Sequence, residues 1–255
     1  MVATAAAVVI IGSVAVVGAS AIGNRSHASE HWGVITRNTI GSPVAELRSG
    51  PYGSFGVTGS AARPPFGKGS LGIYVANNST TLTPPSEKVD FGNEVDFYGD
   101  PLLALSQVGF HVFQTGENAS AAYGGPTNMP NIRFEIDPNG AVNPSNFTTM
   151  VWVPGPAPMV NQWSGYIDAT TNGSWYFTGT TGVSTGCNQA TMCTFAQAKA
   201  SLDDVAPEPT FYTVMVGKGR DNIWVGAVDG LRINSRVFDF EANGVRVRGG
   251  GGGDD

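Results

Sequence analysis

The sequence predicts an all-β fold of two packed antiparallel sheets with one short helix. Three observations lead there. Gly (35) and Pro (16) are abundant among 255 residues while charged residues make only 13%, and Gly and Pro oppose helix interiors whereas polar helical faces need Lys, Glu and Arg. Short runs of β-branched and aromatic residues recur, each bounded by Gly, Pro or Asn. Only one stretch has convincing helical spacing. Sandwiches of about 250 residues occur as single units, so one domain is expected.

The first segment stands apart from that domain. Residues 2–23 carry no charged side chain and contain Val8-Val9-Ile10-Ile11, the composition of a secretory apolar region. Ala19-Ser20-Ala21 supplies the small-x-small pattern that signal peptidase accepts. Residues 1–21 are expected to be a signal peptide cleaved after Ala21. No basic region precedes it, so either the true start lies upstream or the segment is an uncleaved membrane anchor, because more than about 18 uncharged residues span a bilayer. Residues 22–32 are expected to be a flexible lead-in, 33–248 the sandwich, and 249–255 a Gly-rich tail.

Within the domain the strands follow in order. Residues 71–75 come after the Pro64-Pro65 turn, and 108–113 after a short helical piece at 101–105. Then come 132–137, 149–153, 211–216, 223–233 and 237–241. The runs at 149–153 and 211–216 are apolar on both faces, as inner strands of packed sheets are, whereas 132–137 and 237–241 alternate and so present a polar face. The helix starts at Thr194 as cap, repeats Phe195, Ala198, Leu202 and Val205 at helical spacing, and stops at Pro207. Cys187 and Cys193, the only cysteines, are separated by five residues that can fold back, and in an exported chain they are expected to form a disulfide. The alternative is two buried thiols.

These segments also carry a resemblance. Gly69-Ser70-Leu71, Asp100-Pro101-Leu102, Phe134-Glu135-Ile136-Asp137, the Trp163 and Trp175 loop, Ala227-Val228-Asp229-Gly230-Leu231 and Phe238-Asp239-Phe240-Glu241 together resemble a group of secreted bacterial β-sandwich proteins of unassigned function, over residues 33–245. More loosely the chain is similar to the concanavalin-like and LamG-like jelly roll, shared by lectins, carbohydrate-binding modules and some glycosidases. The resemblance implies a two-sheet antiparallel jelly-roll sandwich, located outside the cell or on its surface. Fold alone does not fix function.

Composition narrows the partners. Lys plus Arg number 14 against 20 Asp plus Glu, a net charge of −6, and the longest basic cluster is Arg246 with Arg248. Nucleic acid is not an expected partner. A membrane is expected as one only if the N-terminal segment is uncleaved.

Several motifs have the form of chemical sites. Gly67 to Gly72 satisfies the dinucleotide glycine pattern, but prolines precede it and a strand follows, so it reads as a turn. Gly182-Val183-Ser184-Thr185-Gly186 has the form of a nucleophile elbow, yet it lies in a Thr- and Gly-rich loop and no His follows residue 111. His111, inside a strand, reads as a sheet residue rather than a base. Glu135-Ile136-Asp137 resembles the start of the laminarinase-type motif, in which a second Glu acts as acid/base. Pro138, Asn139 and Gly140 stand where that Glu belongs, so no catalytic residue is assigned.

Two ligand sets remain. Trp163, Tyr166, Trp175 and Tyr176 fall close together in a Gly- and Asn-broken stretch, where exposed rings would cover the apolar face of a sugar; the alternative is that they cap the sandwich. Asp229, Asp239 and Glu241 are the candidate ligands of a structural calcium, with salt bridges or backbone hydrogen bonds as the alternative, and no other cofactor is expected. The expected function is non-enzymatic binding of polysaccharide or another cell-surface polymer. A structural or adhesive surface protein and a divergent polysaccharide hydrolase or lyase are the alternatives.

Overall fold

The computed structural model describes residues 27–53, 56–77, 81, 83–138, 146–156, 160–203 and 207–249. The proposed signal segment lies outside the described residues, as do Val205 and residues 250–255.

In chain order the strands are β1 (His27–Ser29), β2 (Trp32–Val34), β3 (Val44–Ser49), β4 (Gly69–Val75), β5 (Val89–Asn93), β6 (Val108–Gln114), β7 (Asn131–Asp137) and β8 (Thr148–Val153). Then come β9 (Gln162–Trp163), β10 (Ile167–Asp168), β11 (Ser174–Phe177), the helices α1 (Gly179–Thr185) and α2 (Phe195–Ala200), and β12 (Thr210–Lys218), β13 (Trp224–Ile233), β14 (Arg236–Glu241) and β15 (Gly244–Arg248). They form two sheets, one of nine strands and one of six in the order β11-β8-β7-β12-β5-β2. Every pairing between these strands is antiparallel. The protein is an all-β sandwich with few, short helices.

The core lies between the sheets and is built by period-2 alternation. Ile132, Phe134 and Ile136 of β7 and Met150 and Trp152 of β8 are fully buried. Phe134 stacks on Trp175 at 5.7 Å and meets Phe211 edge-on at 5.2 Å, while Phe110 of the other sheet meets Trp152 at 5.4 Å. Offset and edge-to-face arrangements of this kind suit the ring quadrupoles.

Two expectations change. The segment 22–32, expected to be flexible, enters both sheets from residue 27: β1 pairs with β15 in the register Ser29↔Val245, and β2 pairs with β5. The physical reason is Trp32, whose ring lies 5.0 Å from Phe238 and 5.7 Å from Phe240 and so anchors the segment to the core. The stretch holding Trp175 is not a loop. Gly173 takes a left-handed φ of +73° to turn the chain, and Ser174–Phe177 then pairs with β8 in the register Trp175↔Trp152.

The helix predicted after Thr194 is α2, and its N-terminus is a capping box. The Thr194 hydroxyl accepts from Gln197 N at 3.2 Å, and Gln197 Oε1 accepts from Thr194 N at 2.9 Å. The disulfide joins Cys187 and Cys193, whose Cα atoms are 5.4 Å apart. Its loop is pinned to β11, because Trp175 N donates to Cys193 O at 2.7 Å and Phe177 N to Cys187 O at 2.8 Å.

Candidate functional site: a groove across the six-stranded sheet

Alternation sends every second residue of the six-stranded sheet outward. On β7 these are Asn131, Arg133, Glu135 and Asp137, and the register places Arg133 beside Val151 of β8, which is beside Tyr176 of β11. On the other flank Arg133 faces Met215 of β12, and Gly217 faces Asp90 of β5. Gly217 is needed there: a Cβ would lie 2.0 Å from Asp90 Oδ1. The bare strand lets the Asp90 carboxylate reach across β12 to the Arg133 guanidinium.

Above this face lie two cavities that share Arg133, Tyr176, Gly219 and Arg220 and so form one groove. The larger, about 370 Å³, extends to Pro84, Asn131 and the disulfide-loop residues Gln189 and Met192. The smaller, about 210 Å³, extends towards Lys88, Thr149 and Thr178. The larger alone is near the lower end of the range for small-molecule sites, about 300–1,000 Å³. One wall is thus the disulfide loop, and the other is the turn after β12.

Three cations, Lys88, Arg133 and Arg220, stand among the polar groups of the groove, with Asp221 as its lining carboxylate. Arg133, only 6% exposed, donates to the Asp90 carboxylate, to Asn131 Oδ1 at 3.1 Å and to Gly219 O at 2.6 Å. Lys88 Nζ lies 3.2 Å from the other Asp90 oxygen. Arg220 donates to the carbonyls of Thr83 and Pro84, both at 3.3 Å. Lys218 is fully buried with Asp221 as its ion partner, and burial lowers its pKa. Burial likewise raises the pKa of the half-buried Tyr176, with the Arg133 charge opposing. Such a surface offers donors and one aromatic face.

No known protein family, curated protein or solved structure matches this chain.

The four predicted aromatics are divided. Tyr176 lies in the groove, but its neighbour Trp175 points the other way and is fully buried, its Nε1 donating to Ala169 O at 2.8 Å. Trp175 is therefore a core residue and offers no face to a ligand. Trp163 and Tyr166 lie on the side of the nine-stranded sheet: Trp163 in β9 pairs with Phe113 and lies 5.8 Å from its ring, and Tyr166, in the link from β9 to β10, lies under the Arg232 guanidinium at 5.6 Å and lines a cavity of about 290 Å³. The cluster seen in the sequence is not a cluster in space.

The acidic candidates do not fit a calcium ion. Both oxygens of the buried Asp229 accept backbone N–H groups, from Phe66 at 3.1 Å, Gly230 at 2.7 Å and Phe240 at 3.1 Å. Burial pushes its pKa up to about 8 against those donors. Asp239 is paired with Arg248 at 2.6 Å, so a cation there would face a guanidinium, and Glu241 accepts from Lys68 N at 3.0 Å. Among the described residues no group of three or more His, Cys, Asp or Glu side chains is placed to hold a metal.

Other motifs resolve similarly. Glu135 is 3% exposed and accepts from Arg37, from Asn38 Nδ2 at 3.0 Å and from Thr213 Oγ1 at 3.0 Å, while Asp137 accepts from the Tyr212 hydroxyl at 3.1 Å. Ser184 lies in α1, not in a loop, and donates to Thr181 O at 3.2 Å. His111 sits in β6 with Nδ1 3.1 Å from Ser164 O, and burial lowers its pKa. Sequence reasoning missed one cluster, Ser29, His31 and Asp96, which lines a further cavity of about 360 Å³. Ser29 and His31 both bond to Asp96, so the Asp stands between the other two and the imidazole is not placed to activate the serine.

The groove residues Lys88, Arg133 and Arg220 were missed as well. A partial signal existed, since the polar positions 131, 133, 135 and 137 mark an outward face. Nothing in the sequence brings Lys88 and Arg220 to it.

Proposed function

We propose that this protein is an exported, non-enzymatic β-sandwich that binds glycan, or another cell-surface polymer, in the groove across its six-stranded sheet. The observation that carries the reading is the half-buried ring of Tyr176 set in a groove lined by hydrogen-bonding side chains on a strand-built floor. A sugar presents an apolar C–H face and a rim of hydroxyls, and this lining matches both. The antiparallel two-sheet architecture is compatible with the jelly roll of lectins and carbohydrate-binding modules. Export is supported by the uncharged stretch before residue 22 and by the disulfide, a bond that persists in oxidising compartments. The polysaccharide hydrolase alternative gains nothing from Glu135, whose oxygens are engaged by Arg37, Asn38 and Thr213.

Contact of this kind is shallow, so a single site is expected to bind at about micromolar to millimolar Kd, roughly 4–8 kcal/mol. The test is retention of the purified chain on immobilised polysaccharides. Tyr176→Ala should abolish retention while leaving a cooperative unfolding transition. Retention unchanged in Tyr176→Ala, or release of reducing ends by the wild type, would overturn the reading, and failure to bind any polysaccharide would favour a purely structural surface protein.

A further inference from the structure

The charges lining the groove do not cancel, and the imbalance runs against that of the whole chain. The chain carries a net charge of −6, yet Lys88, Arg133 and Arg220 line the groove beside one lining carboxylate, Asp221, with the Asp90 carboxylate buried beneath them. Asp90 is fully buried and already divided between Arg133 and Lys88. Lys218 and Asp221 pair with each other and add no net charge. The next carboxylate along β7, Glu135, is paired with Arg37.

Arg220 is the residue this leaves unmatched. It has no carboxylate partner among the described residues, its Nε is buried without a hydrogen-bond partner, and Nη2 is held only by two carbonyl bonds of 3.3 Å. A guanidinium meets a carboxylate or sulfate through a planar, two-point contact that an ammonium cannot reproduce. A neutral sugar would leave the surplus charge of a half-enclosed site uncompensated.

We infer that the groove takes an acidic polysaccharide, with a uronate carboxylate or sulfate ester seated between Lys88, Arg133 and Arg220 and a sugar ring against Tyr176. This rests on the glycan reading above. Nucleic acid is disfavoured because its affinity comes from many phosphate contacts along a basic track, whereas here the cations are few and confined to one groove.

The test is calorimetric titration of the full chain with oligogalacturonate and chondroitin sulfate hexasaccharides, with the neutral xylohexaose and laminarihexaose, and with a single-stranded oligothymidylate. The acidic sugars should bind, more weakly as salt rises. Binding to chondroitin sulfate that chemical desulfation abolishes assigns the sulfate ester as the seated group, and binding that survives desulfation assigns the uronate carboxylate, which chondroitin sulfate also carries. Arg220→Gln should lower that affinity about tenfold or more, the size of a lost charged hydrogen bond. Should Arg220→Gln fold poorly, Lys88→Gln, at the groove rim, should still weaken acidic sugars selectively. Binding of the neutral sugars as tightly as the acidic ones, or indifference of well-folded Arg220→Gln and Lys88→Gln to acidic sugars, overturns this inference and leaves glycan binding standing, whereas binding of oligothymidylate in place of every sugar overturns both. Absence of binding to any of the sugars overturns both.

Discussion

At the scale of single residues, adjacent side chains on one strand do opposite jobs. Trp175 is fully buried against Phe134 and Phe195, and its truncation to Ala is expected to cost about 3–5 kcal/mol of stability, measured by denaturant unfolding. Tyr176, one position on, faces the groove, so its loss should be felt in binding rather than in folding. The sequence held this distinction in its alternation, but the dense run of rings from 163 to 176 concealed it, because aromatic content is visible in a sequence and ring direction is not. Asp96 supports a pH prediction. Burial would raise its carboxyl, yet hydrogen bonds from His31, Ser29 and Asn93 outweigh that and hold its pKa below the ordinary range. A depressed carboxyl favours the fold above the ordinary carboxylate pKa, and this contribution fades as pH falls through the lowered value. Asp96→Asn should therefore flatten the acid limb of a stability-against-pH curve and destabilise the protein at neutral pH. Equal stability of the two proteins at pH 7 would contradict it.

At the scale of elements, the disulfide loop is the clearest case of local sequence setting site geometry. Cys187 and Cys193 close a loop hydrogen-bonded to the edge strand β11, and Gln189 and Met192 on that loop form one wall of the groove. Closing so short a loop is worth about 2 kcal/mol by chain entropy. The double substitution of both cysteines by Ala should lower stability by about that amount and weaken glycan retention more than the stability loss explains, since the wall is freed while β11 remains paired to β8. Unfolding and retention compared on the same preparations check this. The loop was legible because two cysteines in one short span leave a single pairing. Strands β5 and β15 were not legible: Val-Asp-Phe-Gly-Asn and Gly-Val-Arg-Val-Arg mix glycine and charge with few apolar residues, and only their neighbours in the sheets make them strands. Of the expected ligand residues Tyr176 alone lines the groove; the polar face of 132–137 was legible from its alternation, but Lys88 and Arg220 reach that face through tertiary pairing alone.

At the scale of the whole molecule, the two sheets give the protein two unlike outer sides. The nine-stranded sheet carries Trp163 over Phe113, and Phe66 and Tyr166 beside His111, rings that pack on one another, with a cavity of about 290 Å³ lined by Tyr166, Ile167 and Asp168. The six-stranded sheet instead leaves Tyr176 and the cationic groups facing a groove. Composition predicted the sandwich because turns, alternation and scarce charge are averaged over the chain, whereas which side would be left open depends on contacts between residues as distant as Asp90 and Arg133. The central claim is that ligand meets the six-stranded side, and amide chemical-shift mapping during titration with an acidic oligosaccharide tests it most directly. Shifts should concentrate in β8, β11, the loop 187–193 and the turn 218–221. Shifts centred on Trp163 and Tyr166 with β8 and β11 silent would contradict the account.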